Sequence, residues 1–451
     1  MSKGGIVLAE PPGDTVMHLD RRSLFAGLAG GSLALTAGGS QAQEPAPAPP
    51  APQPAAPPAV LGRLTAAAEA NRLRLDHNDG AFSGPAWDAL LSEARAAKHF
   101  LLGEEHGIAE NARLAGQLFE ALGGDGYDHA VIETSPPMAD ALDEAAKGGL
   151  DGLRAFFAQP GSFAAFFTMR EEAEWLATAR ASRPGVRQVL WGLDYEMGAD
   201  RRLIGQLEEM PKPPAAQTAL ETLKRASAES WAQFEQTRNP QFIYGFSGDP
   251  ALVQAVQASW PDAPEAAQVI LTTLERTFVI NRDFGAGQNW RSNQTRNDLN
   301  RANLRRYWRA AQAEGRRPKL FFKFGASHMV RGVSHTETFD LGTMVAEMAD
   351  MDEGRAFHLL VLPGQGARTA VFNPSAFTYE PSEPRGDYAG PLGPLVRAAW
   401  PDAMTLIDLR PLRPLLSAAQ ARRVERDLAR TVHGFDAVLV MSGSTPSQNL
   451  V

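Results

Sequence analysis

The sequence predicts an α/β fold with a mostly parallel central sheet flanked by helices, and a helical insertion that caps the site. Two observations support this prediction. Short apolar runs of strand length alternate with segments of helical periodicity. Several of these runs end in a turn that carries a carboxylate or a histidine, which is the pattern expected where parallel strands deliver their carboxyl ends to one edge of a sheet.

The stretch 97–107 contains the first of these strands. Its apolar run ends at Gly103, and Glu104, Glu105 and His106 follow directly. A histidine titrates near neutrality, and an adjacent carboxylate raises its basicity or determines its tautomer, so this turn is a candidate for acid–base chemistry. The alternative is a solvated loop that is acidic by chance.

A helix and a second strand follow the first turn. Apolar spacing predicts a helix over 109–122, and the run 129–133 predicts a buried strand that ends in Glu133. Strand, helix and strand in this order predict a parallel βαβ unit with a right-handed crossover. Glu104 and Glu133 are therefore expected at the same edge of the sheet.

A third strand, 188–194, follows two predicted helices over 138–158 and 170–181. Asp194 and Glu196 stand at its end, which repeats the pattern of carboxylates after strands. For each acid taken alone, a helix cap or a first-turn carboxylate favoured by the helix dipole is an equally good interpretation.

The segment 211–288 is predicted to be a helical insertion, because it shows helical composition and no clear strand. A long polar helix over 289–311 follows, and Arg296, Asn300 and Asn303 share one of its faces at spacings of three and four. This face is either a solvated basic surface or part of the site.

The fourth strand, 318–325, contains Lys323 and is followed by His328. This histidine comes after a strand and a glycine, as His106 does. A Pro- and Gly-rich stretch, 372–394, is predicted to be a long surface loop. Further strands are predicted at 356–362, 404–409 and 435–441.

The amino-terminal segment 1–43 predicts a twin-arginine export signal, because Arg21 and Arg22 precede a short apolar run and an acceptable cleavage site. The expected location is periplasmic or secreted. Met17 lies just ahead of the arginine pair, so translation starts at either Met1 or Met17. The Pro- and Ala-rich segment 44–59 predicts a disordered tether, and the folded domain is expected over 60–451.

Composition limits the possible chemistry. The 451-residue chain has no cysteine, so disulfides, thiolate metal sites and cysteine nucleophiles are excluded. A formal charge of -8 predicts that it binds neither nucleic acid nor an anionic membrane surface. The apolar run near the amino terminus is too short for a permanent membrane span. Neither a phosphate-binding glycine loop nor a Gly-x-Ser-x-Gly elbow is present. A small-molecule substrate is the expected partner, and the oligomeric state is left open.

Together the motifs resemble those of erythromycin esterase-like proteins, in the same order along the chain. That family belongs to a wider group with ChaN-like haem-binding lipoproteins and Tiki and TraB metalloprotease-like proteins. The resemblance covers most of the chain after the tether. It rests on Gly103-Glu104-Glu105-His106-Gly107, the strand 130–133, Trp191-Gly192-Leu193-Asp194, the helix 296–303, Lys323-Phe324-Gly325-Ala326-Ser327-His328 and the closing strand 435–439.

The resemblance implies an α/β core and a hydrolase of ester or lactone bonds that requires no cofactor. It implies that His106 is the base that activates water, with Glu104 as its acidic neighbour, Glu133 as the second-strand acid and His328 as the second histidine. His328 and Arg296 are expected to stabilise the developing oxyanion. The supporting or substrate-binding residues are predicted to be Glu105, Asp194, Glu196, Arg296, Asn303 and Lys323.

One spacing departs from the esterases, which have two residues between the motif glutamate and histidine. Here Glu105 alone separates Glu104 from His106. This spacing is closer to that of ChaN-like proteins. The substrate therefore stays open. Two alternatives also stay open: a hydrolase dependent on a divalent metal, which His106, His328 and carboxylates would hold, and a non-catalytic protein that binds haem or another hydrophobic ligand.

Overall fold

The computed structural model describes residues 58–451, apart from 385, 387 and 389. The predicted export signal, and the tether up to residue 57, lie outside the described residues. Residues 58 and 59, assigned to the tether from composition, instead begin the first helix. No helix in the described part of the chain is long and apolar enough to cross a membrane.

A nine-stranded sheet forms the centre of the molecule, and a separate two-stranded sheet pairs β8 with β9. The order in the large sheet is β2-β1-β10-β11-β7-β3-β6-β4-β5. The strands are β1 (Arg72–Asn78), β2 (Ala81–Ser83), β3 (His99–Glu104), β4 (Tyr127–Ile132), β5 (Leu190–Gly192), β6 (Lys319–Gly325), β7 (Ala356–Pro363), β8 (Thr369–Asn373), β9 (Thr378–Ser382), β10 (Met404–Asp408) and β11 (Ala437–Met441).

Helices connect the strands and cover both faces of the sheet. Short 3-10 turns occupy Pro240–Phe242 and Arg410–Leu415. The α-helices are α1 (Pro58–Ala70), α2 (Pro85–Ala96), α3 (Ala109–Ala121), α4 (Pro136–Ala146), α5 (Gly149–Phe157), α6 (Arg170–Ala181), α7 (Asp200–Glu209), α8 (Pro214–Thr237), α9 (Tyr244–Ser247), α10 (Pro250–Ser259), α11 (Glu265–Gly285), α12 (Asn289–Ala313), α13 (Ala326–Met329), α14 (Leu341–Met351), α15 (Gly393–Ala398), α16 (Ala418–Ala421) and α17 (Arg426–Gly434).

From β11 to β5 all neighbouring strands run parallel, whereas β10, β1 and β2 join with antiparallel pairing. A parallel strand is buried on both faces, which explains the near-continuous apolar runs in the sequence. In β3, Phe100 and Leu102 pack into one core and Leu101 into the core on the opposite face. The predicted α/β fold with a mostly parallel sheet is confirmed.

The strand register aligns the ends that carry polar residues. Glu104 at the end of β3 pairs with Gly325 of β6 and Val361 of β7. In β4, Ile132 pairs with Lys323 and is followed directly by Glu133. This register confirms that Glu104 and Glu133 lie at the same edge of the sheet.

The chain between β5 and β6 is built from α-helices α7 to α12 and contains no strand. It includes the segment 211–288, predicted to be a helical insertion. Within this segment, Thr277 of α11 accepts a hydrogen bond of 3.1 Å from the backbone nitrogen of Glu196. The helical segment therefore supports the turn after β5.

One local prediction is wrong, and strand β1 was not predicted. The stretch 372–394 is not a continuous surface loop, because β8 and β9 form a hairpin in which Tyr379 is buried. No strand was predicted before residue 97, but β1 begins at Arg72. Of this strand only Leu75 is fully buried, so it offers no apolar run to identify it.

The third strand is shorter than predicted, covering Leu190–Gly192 rather than 188–194. The backbone N–H groups of Val189 and Leu190 both donate to the side chain of Asp143, at 2.8 and 3.0 Å. A side chain therefore satisfies donors at the beginning of this edge strand.

Candidate functional site

The site lies where β3, β4 and β6 end. Glu104 is the last residue of β3, Glu133 follows β4, and Gly325 ends β6 just before His328. Glu104, Glu133 and His328 are 3%, 4% and 6% exposed, so three polar side chains are buried at one sheet edge. Burial of this kind requires that their charges and hydrogen-bonding groups find partners within the protein.

His106 is held between two carboxylates. Its Nδ1 lies 3.0 Å from Glu104 Oε1, and its Nε2 lies 3.3 Å from Glu133 Oε2 without forming a hydrogen bond. The imidazole stacks on Phe166, with ring centroids 3.7 Å apart. Burial lowers the pKa of His106, but Glu133 and Glu104 outweigh it and raise the pKa to about 9. The two carboxylates therefore favour the protonated form of His106.

Both oxygen atoms of Glu133 accept strong hydrogen bonds. Oε1 accepts from Arg296 Nη2 at 2.6 Å, and Oε2 accepts from the backbone N–H of Gly325 at 2.6 Å. Burial raises the pKa of Glu133, but His106 and Arg296 outweigh this effect and hold the pKa below its usual range. A Cβ at Gly325 would lie 3.0 Å from His106 Nε2, so a larger residue there would crowd the imidazole.

Arg296 also binds Asp194, so one guanidinium joins two carboxylates. Its Nε lies 3.0 and 3.1 Å from the two Asp194 oxygens, and its Nη2 also contacts Asp194. Arg296 is only 3% exposed, which overturns the interpretation of this face of α12 as a solvated basic surface. The planar, forked donor geometry of arginine explains why it can serve both acids at once.

Two asparagines of α12 complete the support around Asp194. Asn303 Nδ2 donates to the carbonyl oxygen of Leu193 at 2.6 Å. With its amide nitrogen directed toward Asp194, Asn300 donates to Asp194 Oδ1 at 3.1 Å and to the Leu193 carbonyl at 3.0 Å. These contacts hold the turn after β5 against α12.

His328 faces Glu133 from the other side. Its Nε2 lies 3.7 Å from Glu133 Oε1, and its Nδ1 lies 2.9 Å from Asp340 Oδ2. Burial lowers the pKa of His328, but Asp340 outweighs it and the net pKa is raised. Asp340 also caps α14 by accepting from the Leu341 backbone at 2.7 Å. The Glu133 carboxylate therefore lies between two imidazole rings, each held by its own acid.

Lys323 lies behind Glu104. Its Nζ is 2.5 Å from Glu104 Oε1 and 2.6 Å from Glu172 Oε1. Burial raises the pKa of Glu172 to about 7, with Lys323 opposing this effect. Lys323 is therefore a buried cation that contacts two carboxylates, as Arg296 is.

The other two predicted residues lie around this centre. Glu105 accepts a hydrogen bond from the Tyr388 hydroxyl, and it lines the cavity described below. Glu196 accepts from Thr134 Oγ1 at 2.6 Å and from the backbone N–H of Ser135 at 2.7 Å. Burial raises the pKa of Glu196 to about 7. The carboxylate of Glu196 therefore supports the turn after β4.

A cavity of about 330 Å³ opens onto the two histidines. Glu104 and Gly325 also line it, whereas no residue of the helical segment 211–288 does. His335 and Asp427 form a polar pair in its wall, 3.4 Å apart. Most of the remaining wall is apolar and is contributed by Phe166, Met197, Leu360, Leu362, Ala370, Val371, Phe372, Pro391 and Leu392.

Sequence reasoning missed Glu172, Asp340 and Phe166 as members of the site. Glu172 and Asp340 stand at the start of helices, where acids are common for reasons of capping and helix dipole. Phe166 is one of many aromatic residues in an apolar stretch. No feature of the sequence separates these residues from ordinary structural ones.

The carboxylates and histidines of the site can be compared with the arrangement that a metal ion needs. Among the residues that the structure describes, no group of three or more His, Asp or Glu side chains is placed to hold an ion. The acids around His106 instead face cations: Glu133 and Asp194 contact Arg296, and Glu104 contacts Lys323.

No protein-family model and no curated protein matches the sequence significantly. Three solved structures share the fold. One is a Bacillus cereus protein (15% identity, 86% of this chain and 99% of that chain, TM-score 0.52). Another is a succinoglycan biosynthesis protein (12% identity, 86% of this chain and 99% of that chain, TM-score 0.55). A third is a mutant of the erythromycin esterase EreC in its open conformation (16% identity, 81% of this chain and 95% of that chain, TM-score 0.54). At such identities the likeness shows an erythromycin esterase-like fold.

Replacing Arg296 with methionine is expected to lower the free energy of unfolding by about 3 to 5 kcal/mol, because Glu133 and Asp194 would lose their shared buried cation. Chemical denaturation measures the change. Arg305→Met on the exposed face of the same helix is the control and should change stability little. Equal stabilities of the two variants would contradict a structural role for the buried pairs.

Proposed function

We propose that this protein is a hydrolase of ester or lactone bonds in which His106 activates water. The observation that carries the proposal is the position of the imidazole: Nδ1 is held by Glu104, and the residue lines the cavity. Among the described residues Nε2 makes no hydrogen bond, although Glu133 Oε2 lies 3.3 Å away. A base oriented by a carboxylate, beside space for a substrate, is the arrangement that general-base hydrolysis requires. The fold shared with an erythromycin esterase supports the same class of reaction.

The Glu104 contact selects the tautomer. A proton on Nδ1 donates to Glu104 Oε1, which leaves Nε2 of the neutral ring as the acceptor. Nε2 takes a proton from water, and the hydroxide oxygen adds to the carbonyl carbon of the ester. The tetrahedral intermediate then expels the alkoxide, which takes the proton back from the imidazolium. Acid and alcohol leave, and His106 returns to its neutral form.

His328 is the oxyanion donor in this proposal. It lines the cavity, and Asp340 favours its protonated form, so it can donate to negative charge that develops on the substrate. Arg296, considered for the same role from the sequence, is buried and bound to Glu133 and Asp194. Its role is to hold the acid that faces both histidines.

The substrate is proposed to be an ester or lactone with an apolar body, because most of the cavity wall is aliphatic or aromatic. Phe166, Phe372 of β8 and Leu360 of β7 line the cavity and would contact that body. Export through the twin-arginine signal, with action in the periplasm or outside the cell, is part of the proposal and rests on the sequence: Arg21 and Arg22, the short apolar run that follows them and the cleavage site.

Removing the proposed base tests the reaction. His106→Gln should lower kcat/KM for an ester that the wild type hydrolyses by roughly 100-fold or more, since glutamine cannot accept the proton. p-Nitrophenyl esters of graded acyl length and a macrolactone are suitable substrates, with circular dichroism to check folding. His77→Gln on β1 is the matched control and should keep wild-type rates. Undiminished turnover by His106→Gln would rule the mechanism out.

The rate should rise with pH. A base must be unprotonated to act, and the pKa of His106 is raised to about 9, so kcat/KM should increase about tenfold per pH unit before levelling near pH 9. The stability contributed by protonated His106 has the opposite trend: it is complete below pH 6.5 and is lost as pH rises through 9. A rate that falls between pH 7 and 9 would instead identify His106 as an acid.

Chelation tests the proposal that no metal is required. Since the acids around His106 face Arg296 and Lys323, incubation with EDTA should leave turnover unchanged. Metal analysis of the purified protein accompanies the assay. Activity that is lost on chelation and restored by a divalent ion would favour the metal-dependent alternative.

A further inference from the structure

The buried group behind His106 contains two acids and one lysine. Lys323 Nζ lies 2.5 Å from Glu104 Oε1 and 2.6 Å from Glu172 Oε1. Lys323, Glu104 and Glu172 are 4%, 3% and 1% exposed, so water does not screen their charges. A single cation cannot fully neutralise two carboxylates at once.

One oxygen atom connects this group to the histidine. Glu104 Oε1 contacts both Lys323 Nζ and His106 Nδ1, the latter at 3.0 Å. The second oxygens of Glu104 and Glu172 are buried and have no hydrogen-bond partner among the described residues. The negative charge that His106 experiences from Glu104 therefore depends on how strongly Lys323 is drawn toward Glu172.

We propose that Glu172 is a positioning residue that sets the basicity of His106 by competing with Glu104 for Lys323. When Glu172 is charged, it draws on Lys323 and leaves more negative charge on Glu104, so His106 holds its proton more strongly. When Glu172 is neutral, Lys323 neutralises Glu104 and His106 becomes a weaker base. The inference rests on the proposed role of His106 and adds a residue that neither touches substrate nor lines the cavity.

Few other charges act on Glu172. Lys323 and Glu104 face it from the sheet and His106 from the turn after β3, and burial raises the pKa of Glu172 to about 7. Its neighbour Glu171 is occupied by Arg113 of α3, at 3.5 Å. Lys323 is therefore the cation for which Glu172 and Glu104 compete.

Two carboxylates and one aromatic ring surround the His106 imidazole. Glu104 contacts Nδ1, Glu133 approaches Nε2, and the Phe166 ring covers one face. Behind Glu133 stand Arg296 and His328. A change at Glu172 acts on His106 directly, through its charge, and through Lys323 and Glu104, which contact each other.

The experiment is a titration of His106 by NMR in full-length protein labelled with 13C at histidine Cε1, with His106→Gln identifying the signal. Glu172→Gln should lower the titration midpoint of His106 by roughly half to one pH unit, because a negative charge is lost while side-chain volume is kept. Glu174→Gln, on the same helix and paired with Arg170, is the control and should not move it. A midpoint in Glu172→Gln equal to that of the control overturns the proposal.

Glu172→Asp separates charge from shape. The aspartate keeps the charge but changes the geometry, so the His106 midpoint in Glu172→Asp should stay closer to the wild-type value than the midpoint in Glu172→Gln does. The reverse order overturns the proposal.

If Glu172→Gln does not fold, the double variant Glu172→Gln/Lys323→Met removes one charge of each sign. Its midpoint should equal or exceed that of the wild type, because Glu104 then acts on His106 alone, and a lower midpoint overturns the proposal.

The pH at which kcat/KM levels off should move with the NMR midpoint. If Glu172→Gln lowers the His106 midpoint but the wild-type protein hydrolyses no ester, the role of Glu172 is supported and only the proposed function is overturned. A midpoint that does not move, in an enzyme that hydrolyses esters through His106, overturns the role of Glu172 and leaves the proposed function standing.

Discussion

The arrangement of the site depends on the burial of the Glu133 carboxylate at the edge of the sheet. A buried carboxylate is strongly destabilising unless a cation and hydrogen-bond donors meet it. Arg296 and the Gly325 backbone supply these contacts, each at 2.6 Å. Because one comes from α12 and the other from the end of β6, the same contacts join the helical segment to the sheet. They also place Glu133 between His106 and His328.

The two buried cations have related roles on either side of His106. Arg296 is shared by Glu133 and Asp194, and Lys323 is shared by Glu104 and Glu172. Four acids thus meet two permanent cations, and this excess of negative charge favours protonated imidazole. The raised pKa of His106 follows from this imbalance, which outweighs its burial. Burial of the His106 ring disfavours its protonated form, and the carboxylates of Glu104 and Glu133 offset this desolvation cost.

Much of the sheet edge could be predicted from the sequence, because buried parallel strands leave unbroken apolar runs and their carboxyl ends share one edge. Glu104, Glu133, Asp194 and His328 were placed together on that basis. The register of β3, β4 and β6 brings the first, second and fourth together, and Asp194, which follows β5, reaches Glu133 through Arg296. The face of α12 with Arg296 was ambiguous, since spacing along a helix does not say whether the face meets solvent or another buried charge. The hairpin of β8 and β9 was missed because its strands are short and partly polar.

The sequence by itself determined the α/β class, the identity of the acids and histidines at the strand ends, and the absence of cysteine chemistry, since each depends on local pattern or composition. The tertiary structure alone decided which acid faces which base. Glu172 and Asp340 look like ordinary acids at the start of helices, and only the packing of α6 and α14 against the sheet edge brings them to Lys323 and His328. Charge pairing between residues far apart in the chain is a property of packing, and no local pattern encodes it.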